Sequence, residues 1–178
     1  MVRIELLGDD ATPETLREVE RIFFLTSSRK SFPSDAARAE FQERWLGRYL
    51  LHDRAHAFVA RGEDGTIAGY LIGSLDDPAE SDRFDDIGYF ADFADLTAVY
   101  PAHLHINLDE AWRSQGIGAM LIETFAAQAR ARRARGLHIV TGAGVRNVGF
   151  YARCGFEPLR ELSWEGSRLL FMGRKLWP

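Results

Sequence analysis

Apolar residues recur every four positions from Ile117 to Ala129, and this spacing predicts an amphipathic helix. Two glycines, Gly116 and Gly118, stand at its start, after a short apolar and β-branched stretch and a turn. Glycine allows tight backbone turns, and the first amides of a helix lack partners inside it. Those donors, with the positive end of the helix dipole, favour a phosphorylated ligand. The pattern therefore predicts a strand, a glycine turn and a phosphate-binding helix start.

The first half of the chain is typical of a strand, two helices and a hairpin. Apolar and charged residues alternate over positions 2–6, as they do in a half-buried strand. Thr12 followed by a proline marks the start of a first helix, and Ser34 or Asp35 marks the start of a second. Two largely apolar runs flank residues 63–65, whose sequence Glu-Asp-Gly is a hairpin signal.

The second half continues with alternating strands and helices. Residues 76–95 are acidic and aromatic, and we expect irregular or helical structure there. Gly136 ends the amphipathic helix, and the run 137–141 predicts the next strand. A short helix is expected over residues 147–154, followed by a closing hairpin around residues 165–167. This order of elements predicts an α/β fold, a mixed sheet with helices on both faces.

Length and composition narrow the class of protein. A chain of 178 residues suits one domain with a sizeable core, which we expect to span residues 1–178. Twenty-two basic against 26 acidic residues give a formal charge of −4, which argues against a general nucleic-acid binder. A single cysteine, Cys154, excludes an internal disulfide. The N-terminus lacks a long apolar region and no run of about 18 apolar residues occurs, so we expect no membrane span and a cytoplasmic location.

Two motifs in the second half resemble those of a known family. Residues 113–118, Arg-Ser-Gln-Gly-Ile-Gly, resemble motif A of the GNAT superfamily of acyl-CoA-dependent N-acetyltransferases, which reads Arg or Gln, two residues, Gly, any residue, then Gly or Ala. Residues 150–156, Phe-Tyr-Ala-Arg-Cys-Gly-Phe, match the family's last motif. Residues 100–106 are similar to a branch that includes the acetyltransferase-like domain of O-GlcNAcase-type enzymes. The motifs and the strands around them cover about residues 95–176.

The resemblance implies a fold, an activity and its ligands. The fold would be GNAT-like, with a central sheet that is mixed and mostly antiparallel. The activity would be transfer of an acetyl group from acetyl-CoA, as cosubstrate, to a primary amine by direct attack in a ternary complex. The acceptor would be a small molecule or a protein, relatives often form homodimers, and neither a nucleic acid nor a membrane is implied as a partner. No metal is implied, because the five histidines lack the accompanying Cys or carboxylate spacing of a metal site.

The resemblance also assigns residues to the cosubstrate. The backbone amides from Ser114 to Gly118 would bind the pyrophosphate of acetyl-CoA, in a loop that begins with Arg113. The backbone of Leu108 would meet the pantetheine arm, and a strand N–H between Ile106 and Leu108 would polarise the thioester carbonyl. The implied cosubstrate-binding residues are Ile106, Asn107, Leu108, Arg113, Ser114, Gln115, Gly116, Ile117, Gly118 and Asn147.

Alternatives exist for Asn147 and for the two glycines of the motif. The family often carries an Asn where this chain has Gly144, so either Asn147 takes over its role or the turn 142–144 supplies backbone contacts only. A third interpretation is that Asn147 merely caps its helix. The two glycines also fit a plain turn between strand and helix. A dinucleotide site needs an acidic residue about 20 positions downstream, and residues 137–140 contain none, which excludes that site.

Tyr151 is the candidate general acid, at the position where the family uses a tyrosine after phenylalanine. Acyl transfer to an amine expels the CoA thiolate, and a phenol with a pKa of about 10 can protonate that thiolate as it leaves. The alternative is a tyrosine that packs in the core beside Phe150 and Phe156.

The general base is sought among the histidines of the strand that leads to the loop. An alkylamine with a pKa of about 10 is almost fully protonated at neutral pH, so a group must take its proton. His103 and His105 are two residues apart and therefore on the same face of a strand, and an imidazole suits this work directly or through a water. The alternatives are structural histidines, Asp109 or Glu110 as the base, or a chain of waters.

Two rival functions fit the same residues. One is a CoA-binding sensor or interaction module without catalysis, because Gly144 replaces the usual Asn and no carboxylate base is obvious. The other is O-acylation or transfer of a different acyl chain. The acceptor itself is set by the first two helices, the 76–95 segment and the closing hairpin, where no substrate signature is recognised.

Overall fold

The structure, a computed structural model, describes residues 1–177. Its strands are β1 (Val2–Leu6), β2 (Phe58–Gly62), β3 (Ile67–Ser74), β4 (Ala102–Leu108), β5 (Gly136–Gly142), β6 (Glu157–Trp164) and β7 (Ser167–Lys175). They form a seven-stranded sheet in the order β1-β2-β3-β4-β5-β7-β6. Strands β4 and β5 run parallel, whereas the pairs β1–β2, β2–β3, β5–β7 and β6–β7 are antiparallel. The predicted mixed α/β fold is therefore confirmed.

Short and long helices alternate with these strands. The α-helices are α1 (Pro13–Thr26), α2 (Asp35–Gln42), α3 (Arg48–His52), α4 (Tyr89–Asp92), α5 (Ala94–Thr97), α6 (Ile117–Ala131) and α7 (Asn147–Arg153). A π-helical turn joins α2 to α3, and single 3₁₀ turns cover Arg54–His56, Asp82–Phe84 and Glu110–Trp112. None of the described helices combines the length and the apolar character that crossing a membrane requires.

The chain divides into two compact units. The first contains Met1–Gly73 and His105–Phe125, and the second contains Ser74–Leu104 and Ala126–Pro178. Strand β4 and helix α6 each contribute residues to both units. The expectation that the whole chain acts as one domain stays a prediction.

Helix α1 of the first unit begins where the sequence predicts. The hydroxyl oxygen of Thr12 accepts a hydrogen bond from the Thr15 amide at 3.3 Å, and Pro13 is the first helical residue. Proline is favoured there because its missing N–H would have no helical partner in any case. The buried face of the helix includes Val19 and Ile22. The predicted N-cap is confirmed.

The second predicted helix is not continuous. Ser34 caps α2, and its hydroxyl accepts a hydrogen bond from the Ala37 amide at 3.1 Å. The π-helical turn Glu43–Gly47 then widens the helix before α3 begins. Leu46 in this turn and Tyr49 in α3 are buried. The apolar stripe predicted here is therefore present, but on a helix that changes its winding halfway along.

The hairpin between β2 and β3 forms as predicted. Its turn includes Gly65, with a φ of 84°, in the left-handed region that glycine adopts without a steric penalty. The Gly65 amide donates to the carbonyl of Gly62 at 3.0 Å.

In the second unit, the acidic and aromatic segment 76–95 forms short helices, as expected, around aromatic side chains. Phe90 and Phe93 are buried, and Phe93 packs with Tyr100 and Phe171 in a core cluster. Strand β5 pairs with β7 along its whole length, and β7 pairs with β6 in the predicted closing hairpin. The aromatic residues of this segment therefore supply core packing.

Candidate functional site

The loop between the 3₁₀ turn Glu110–Trp112 and helix α6 exposes a run of unused backbone donors. The first helical hydrogen bond runs from the Met120 amide to the Gly116 carbonyl at 3.1 Å. The amides of residues 114 to 119 donate to no acceptor within residues 1–177. Ser114 and Gly116 have φ angles of 62° and 80°, which turn neighbouring amides toward one side. Six consecutive free amides at the start of a 15-residue helix are an arrangement with which proteins bind anions.

Side chains of the same loop hold its backbone in place. The Nε of Arg113 donates to the carbonyl of Leu108 at 3.3 Å. The Nε2 of Gln115 donates to the carbonyl of Ala111 at 3.0 Å. Both side chains therefore fix the loop to the residues that precede it, while the loop itself from residue 113 to 116 stays exposed.

Asp109, one of the alternative bases, has a structural role. Its Oδ2 accepts a hydrogen bond from the Arg21 guanidinium at 3.0 Å, and its Oδ1 accepts one from the Ala111 amide at 3.2 Å. The Arg21 hydrogen bond, followed by the amide, holds the pKa of Asp109 below its usual range. A carboxylate that is stabilised in its charged form is a weak proton acceptor, so this contact disfavours Asp109 as the base.

The last residues of β4 lie close to β3. The Asn107 side chain donates to the Tyr70 hydroxyl at 2.8 Å, and the Asp109 amide donates to the Ala68 carbonyl at 3.0 Å. A Cβ on Gly69 would lie 2.6 Å from the carbonyl oxygen of Asn107, so this position admits only glycine without a backbone shift. The sequence contains Gly69 inside an apolar run, and that interruption was the signal of close backbone approach that sequence reasoning missed.

The ladder between β4 and β5 is short. Within the described strands, it consists of the pairs Ala102–Leu137 and His103–His138. The backbone groups from Ile106 to Leu108, predicted to meet the thioester, therefore lie outside that ladder.

His105 lies in β4 as a half-buried side chain with two aromatic neighbours. Its Nε2 is 3.2 Å from the hydroxyl of Tyr49, and the Tyr49 and Trp45 rings meet its ring edge to face at centroid distances of 5.3 and 5.5 Å. Burial, reinforced by the positive charge of Arg48, lowers the pKa of His105 to about 4. The imidazole is therefore neutral at physiological pH, and sequence reasoning missed Trp45 and Tyr49 as its partners.

This lowered pKa predicts a loss of stability in acid that depends on His105. The unfolded chain has the ordinary histidine pKa of 6.5 and the folded chain a pKa of about 4, so the unfolded state binds more protons between these values. Stability is complete above the unfolded pKa and falls as the pH approaches 4.5. We expect wild type to lose about 2 kcal/mol more than His105→Gln between about pH 7 and about pH 4.5.

Urea denaturation at the two pH values measures this difference, and the carboxylates common to both proteins cancel in the comparison. Equal losses in wild type and His105→Gln would show that the histidine titrates normally in the folded chain.

His103 occupies a different environment, in the aromatic core of the second unit. Its side chain is only 3% exposed. Its ring stacks on that of His138 at 5.3 Å and meets the Phe84 ring edge to face at 4.8 Å. Its Nδ1 lies 3.4 Å from the Pro101 carbonyl. These contacts are those of a structural histidine, the alternative that the sequence left open.

Tyr151 is buried in helix α7. Its ring packs against those of Phe150 and Phe156 at 5.2 and 5.7 Å. Burial, with a smaller contribution from Cys154, raises the pKa of Tyr151 above its ordinary value. Among residues 1–177 its hydroxyl has no hydrogen-bond partner. The phenol is therefore protonated at neutral pH and has its proton free to donate.

Asn147 does not cap its helix, which corrects one of the three interpretations of this residue. It is the first residue of α7, and Arg146, in the cap position, makes no side-chain capping bond. The Asn147 side chain is exposed and accepts a hydrogen bond from the Thr141 hydroxyl at 3.0 Å. This bond links the end of β5 to the start of α7. Asn147 is not the N-cap, because that position precedes the first helical residue and is occupied by Arg146.

Solved structures share this fold at low sequence identity. The crystal structure of SsHAT matches with a TM-score of 0.74 and 23% identity over 99% of both chains. An N-acetyltransferase from Staphylococcus aureus Mu50 matches with a TM-score of 0.65 and 17% identity, again over 99% of both chains. A Bacillus anthracis str. Ames structure in complex with acetyl coenzyme A matches with a TM-score of 0.51 and 18% identity, over 67% of this chain and 61% of that one.

The amino-acid sequence identifies the family more specifically than the fold does. It matches the acetyltransferase (GNAT) family over residues 16–156, which is more than half of the chain. No curated protein matches it in sequence. The similarity to the O-GlcNAcase-type branch is not tested by these matches and stays a prediction. Within residues 1–177, no group of three His, Cys, Asp or Glu side chains is arranged to hold a metal ion. The chain therefore belongs to the acetyltransferase (GNAT) family, as its two motifs predict, and is an acetyl-CoA-dependent acyltransferase.

Proposed function

We propose that this chain, acting as one domain over residues 1–178, transfers an acetyl group from acetyl-CoA to a primary amine by direct attack in a ternary complex. The observation that supports this most is the run of six free amides from residue 114 to 119. A polyanionic ligand satisfies several of those donors at once, whereas in a plain turn between strand and helix they bind only water. The acceptor is a small molecule or a protein that carries the amine.

The loop and the end of β4 bind different parts of the cosubstrate. The amides of Ser114, Gln115, Gly116, Ile117 and Gly118 bind the pyrophosphate, and Arg113 keeps the loop in place through its bond to Leu108. The backbone from Ile106 to Leu108, including Asn107, meets the pantetheine arm and donates to the thioester carbonyl. Asn147, whose side chain is exposed, contributes a polar contact. The bound thioester supplies an activated acetyl group.

His105 is the proposed proton acceptor for the amine. Its lowered pKa leaves the ring neutral at physiological pH, so that a nitrogen lone pair is available, and also makes the ring a weak base, as it does the Asp109 carboxylate. A ring of such low basicity gives the proton up readily to solvent, which its partly exposed side chain can reach. His103 is the weaker candidate, because its ring is buried among other rings.

Tyr151 is the proposed general acid. The attack forms a bond from nitrogen to the carbonyl carbon and breaks the carbon–sulfur bond, which leaves a thiolate that needs a proton. A buried phenol with a raised pKa holds its proton until a strong base is next to it. Desolvation raises the basicity of the departing thiolate as well, because its charge is no longer solvated, and the thiolate then takes the proton of the phenol.

Location and assembly are further parts of this proposal. A cytoplasmic location, expected from the composition of the chain, belongs to the proposal. A homodimer is proposed by family analogy alone.

Release of free thiol tests the proposed reaction. We expect purified protein to bind acetyl-CoA in calorimetry and to release thiol from it only when a suitable primary amine is added. Hydroxyl analogues of the active amines serve as controls and should release none, because an alcohol is a much poorer nucleophile at neutral pH. Binding without amine-dependent thiol over a broad panel of amines would instead favour the non-catalytic CoA sensor.

A further inference from the structure

A cleft of about 730 Å³ lies between the end of α1 and the start of α2, wholly within the first unit. Its walls carry two phenylalanines and four charged residues. The aromatic and charged lining residues are Phe24, Phe32, Arg29, Lys30, Arg38 and Asp35. Three cations therefore face one carboxylate in the lining, although the chain as a whole has a formal charge of −4.

The three cations differ in how far the protein neutralises them. Arg38 lies 3.7 Å from a carboxylate oxygen of Glu20, and the Lys30 ammonium donates to the carbonyl of Leu25 at 2.7 Å. The Arg29 guanidinium makes no ion pair or side-chain hydrogen bond with residues 1–177. The cleft therefore has positive charge left over for a ligand, at Arg29 and at Lys30, because a neutral carbonyl does not offset the charge of the ammonium group.

The two arginines are held by aromatic rings. The guanidinium carbon of Arg38 is 3.6 Å from the centroid of the Phe24 ring, and that of Arg29 is 5.0 Å from the centroid of the Phe32 ring. A ring that covers the face of a guanidinium restricts its rotation and leaves the N–H groups at its edge to bind. Such an edge matches a carboxylate or a phosphate with two parallel hydrogen bonds.

A stripe of aromatic side chains leads from this cleft to His105. The Phe32 ring lies 5.3 Å from that of Phe41 in α2. Trp45 and Tyr49 follow Phe41 at intervals of four residues, and both contact the His105 ring. The eight residues from Phe41 to Tyr49 span on the order of 10 Å of helix. Phe41 at the cleft end and Tyr49 at the His105 end are therefore on the order of 10 Å apart along the helix, which sets the length that a ligand bound at both ends needs.

We infer that this cleft binds a carboxylate or phosphate group of the acceptor, so that the substrate is an amine whose anionic end lies on the order of 10 Å from its nitrogen along an apolar body. Only the position of the amine rests on the proposed function, because anion binding in the cleft follows from the lining itself. The aromatic walls favour the apolar body, and Arg29 favours the anionic end.

Binding of a simple aromatic acid tests the cleft without any catalysis. Phenylpropionate is titrated into wild type, Arg29→Gln and Arg132→Gln, the last an exposed arginine of the second unit as matched control. Phenylpropanol is the neutral counterpart and inorganic phosphate the second anion. We expect the affinity of Arg29→Gln for phenylpropionate to fall about tenfold, with Arg132→Gln unchanged. Equal affinities in all three proteins, equal binding of phenylpropanol or no binding would overturn the inference.

Acetyl transfer to paired amines separates the cleft from the reaction. We expect Arg29→Gln to raise the KM for ω-aminooctanoate about tenfold with kcat unchanged, and to leave octylamine unaffected. If neither amine is acetylated but the binding of phenylpropionate still depends on Arg29, the proposed reaction is contradicted and the anion site is supported. If both amines are acetylated and each has the same KM in wild type and Arg29→Gln, the proposed anion binding in the cleft is contradicted and the proposed reaction is supported. Inorganic phosphate as a competitor distinguishes a phosphate from a carboxylate preference.

Discussion

Gly116→Val is expected to weaken the binding of coenzyme A by one to two orders of magnitude, roughly 1.5–3 kcal/mol. Gly116 has a φ of 80°, and a β-branched residue avoids this left-handed conformation. No atom lies within 4 Å of a Cβ built at this position, so the effect does not come from a clash with the rest of the chain. It comes from the backbone, because the loop must relax and the amides around residue 116 then turn away from one another. Calorimetric titration with coenzyme A measures the change.

The hairpin turn provides a matched control. Gly65 has a φ of 84°, and likewise nothing lies within 4 Å of a Cβ there. Gly65→Val therefore adds the same kind of backbone strain outside the proposed binding loop. We expect both variants to unfold at lower urea concentration and only Gly116→Val to lose affinity. Equal affinity for coenzyme A in wild type and Gly116→Val would show that the amides of residues 114 to 119 do not bind the diphosphate.

Local sequence predicts much of this fold because its determinants lie close together in the chain. The cap Thr12 and the hairpin turn at Gly65 each depend on a few neighbouring residues, and both form as predicted. The π-helical turn Glu43–Gly47 was not predicted, since nothing in its own sequence breaks the helical spacing. It ends just before α3, whose Tyr49 packs against a strand 56 residues away, and such tertiary contacts override local propensity.

The candidate site divides in the same way. The proposed phosphate-binding loop is one continuous segment, so its glycines and the helix after it are visible in the sequence, and the structure adds that its amides are free. The surroundings of the two histidines are not local. His103 lies against the rings of Phe84 and His138 from two other segments, and His105 meets Trp45 and Tyr49. No spacing within β4 reveals these partners. The two histidines look alike in the sequence, on one face of one strand. Only the structure distinguishes their surroundings.

Tyr151→Phe is expected to lower kcat by a factor of roughly one hundred to one thousand and to leave the affinity for acetyl-CoA unchanged. The substitution removes only the hydroxyl, so the packing of the ring against Phe150 and Phe156 is retained. Because the hydroxyl has no partner in residues 1–177, its removal leaves no orphaned group and costs little stability. This decrease in kcat corresponds to an activation free energy that is higher by about 3–4 kcal/mol, since the thiolate must then leave without a proton.

Tyr100→Phe is the matched control, because Tyr100 is also a buried tyrosine of the second unit and packs against Phe171. It should retain wild-type kcat. The raised pKa of Tyr151 adds a second test, since the phenol keeps its proton below about pH 10 and the acid function declines only above that value. A steep fall of wild-type kcat between neutral pH and about pH 9 therefore cannot arise from Tyr151. Equal turnover by wild type and Tyr151→Phe would mean that water or another donor protonates the thiolate, and that this tyrosine serves the core alone.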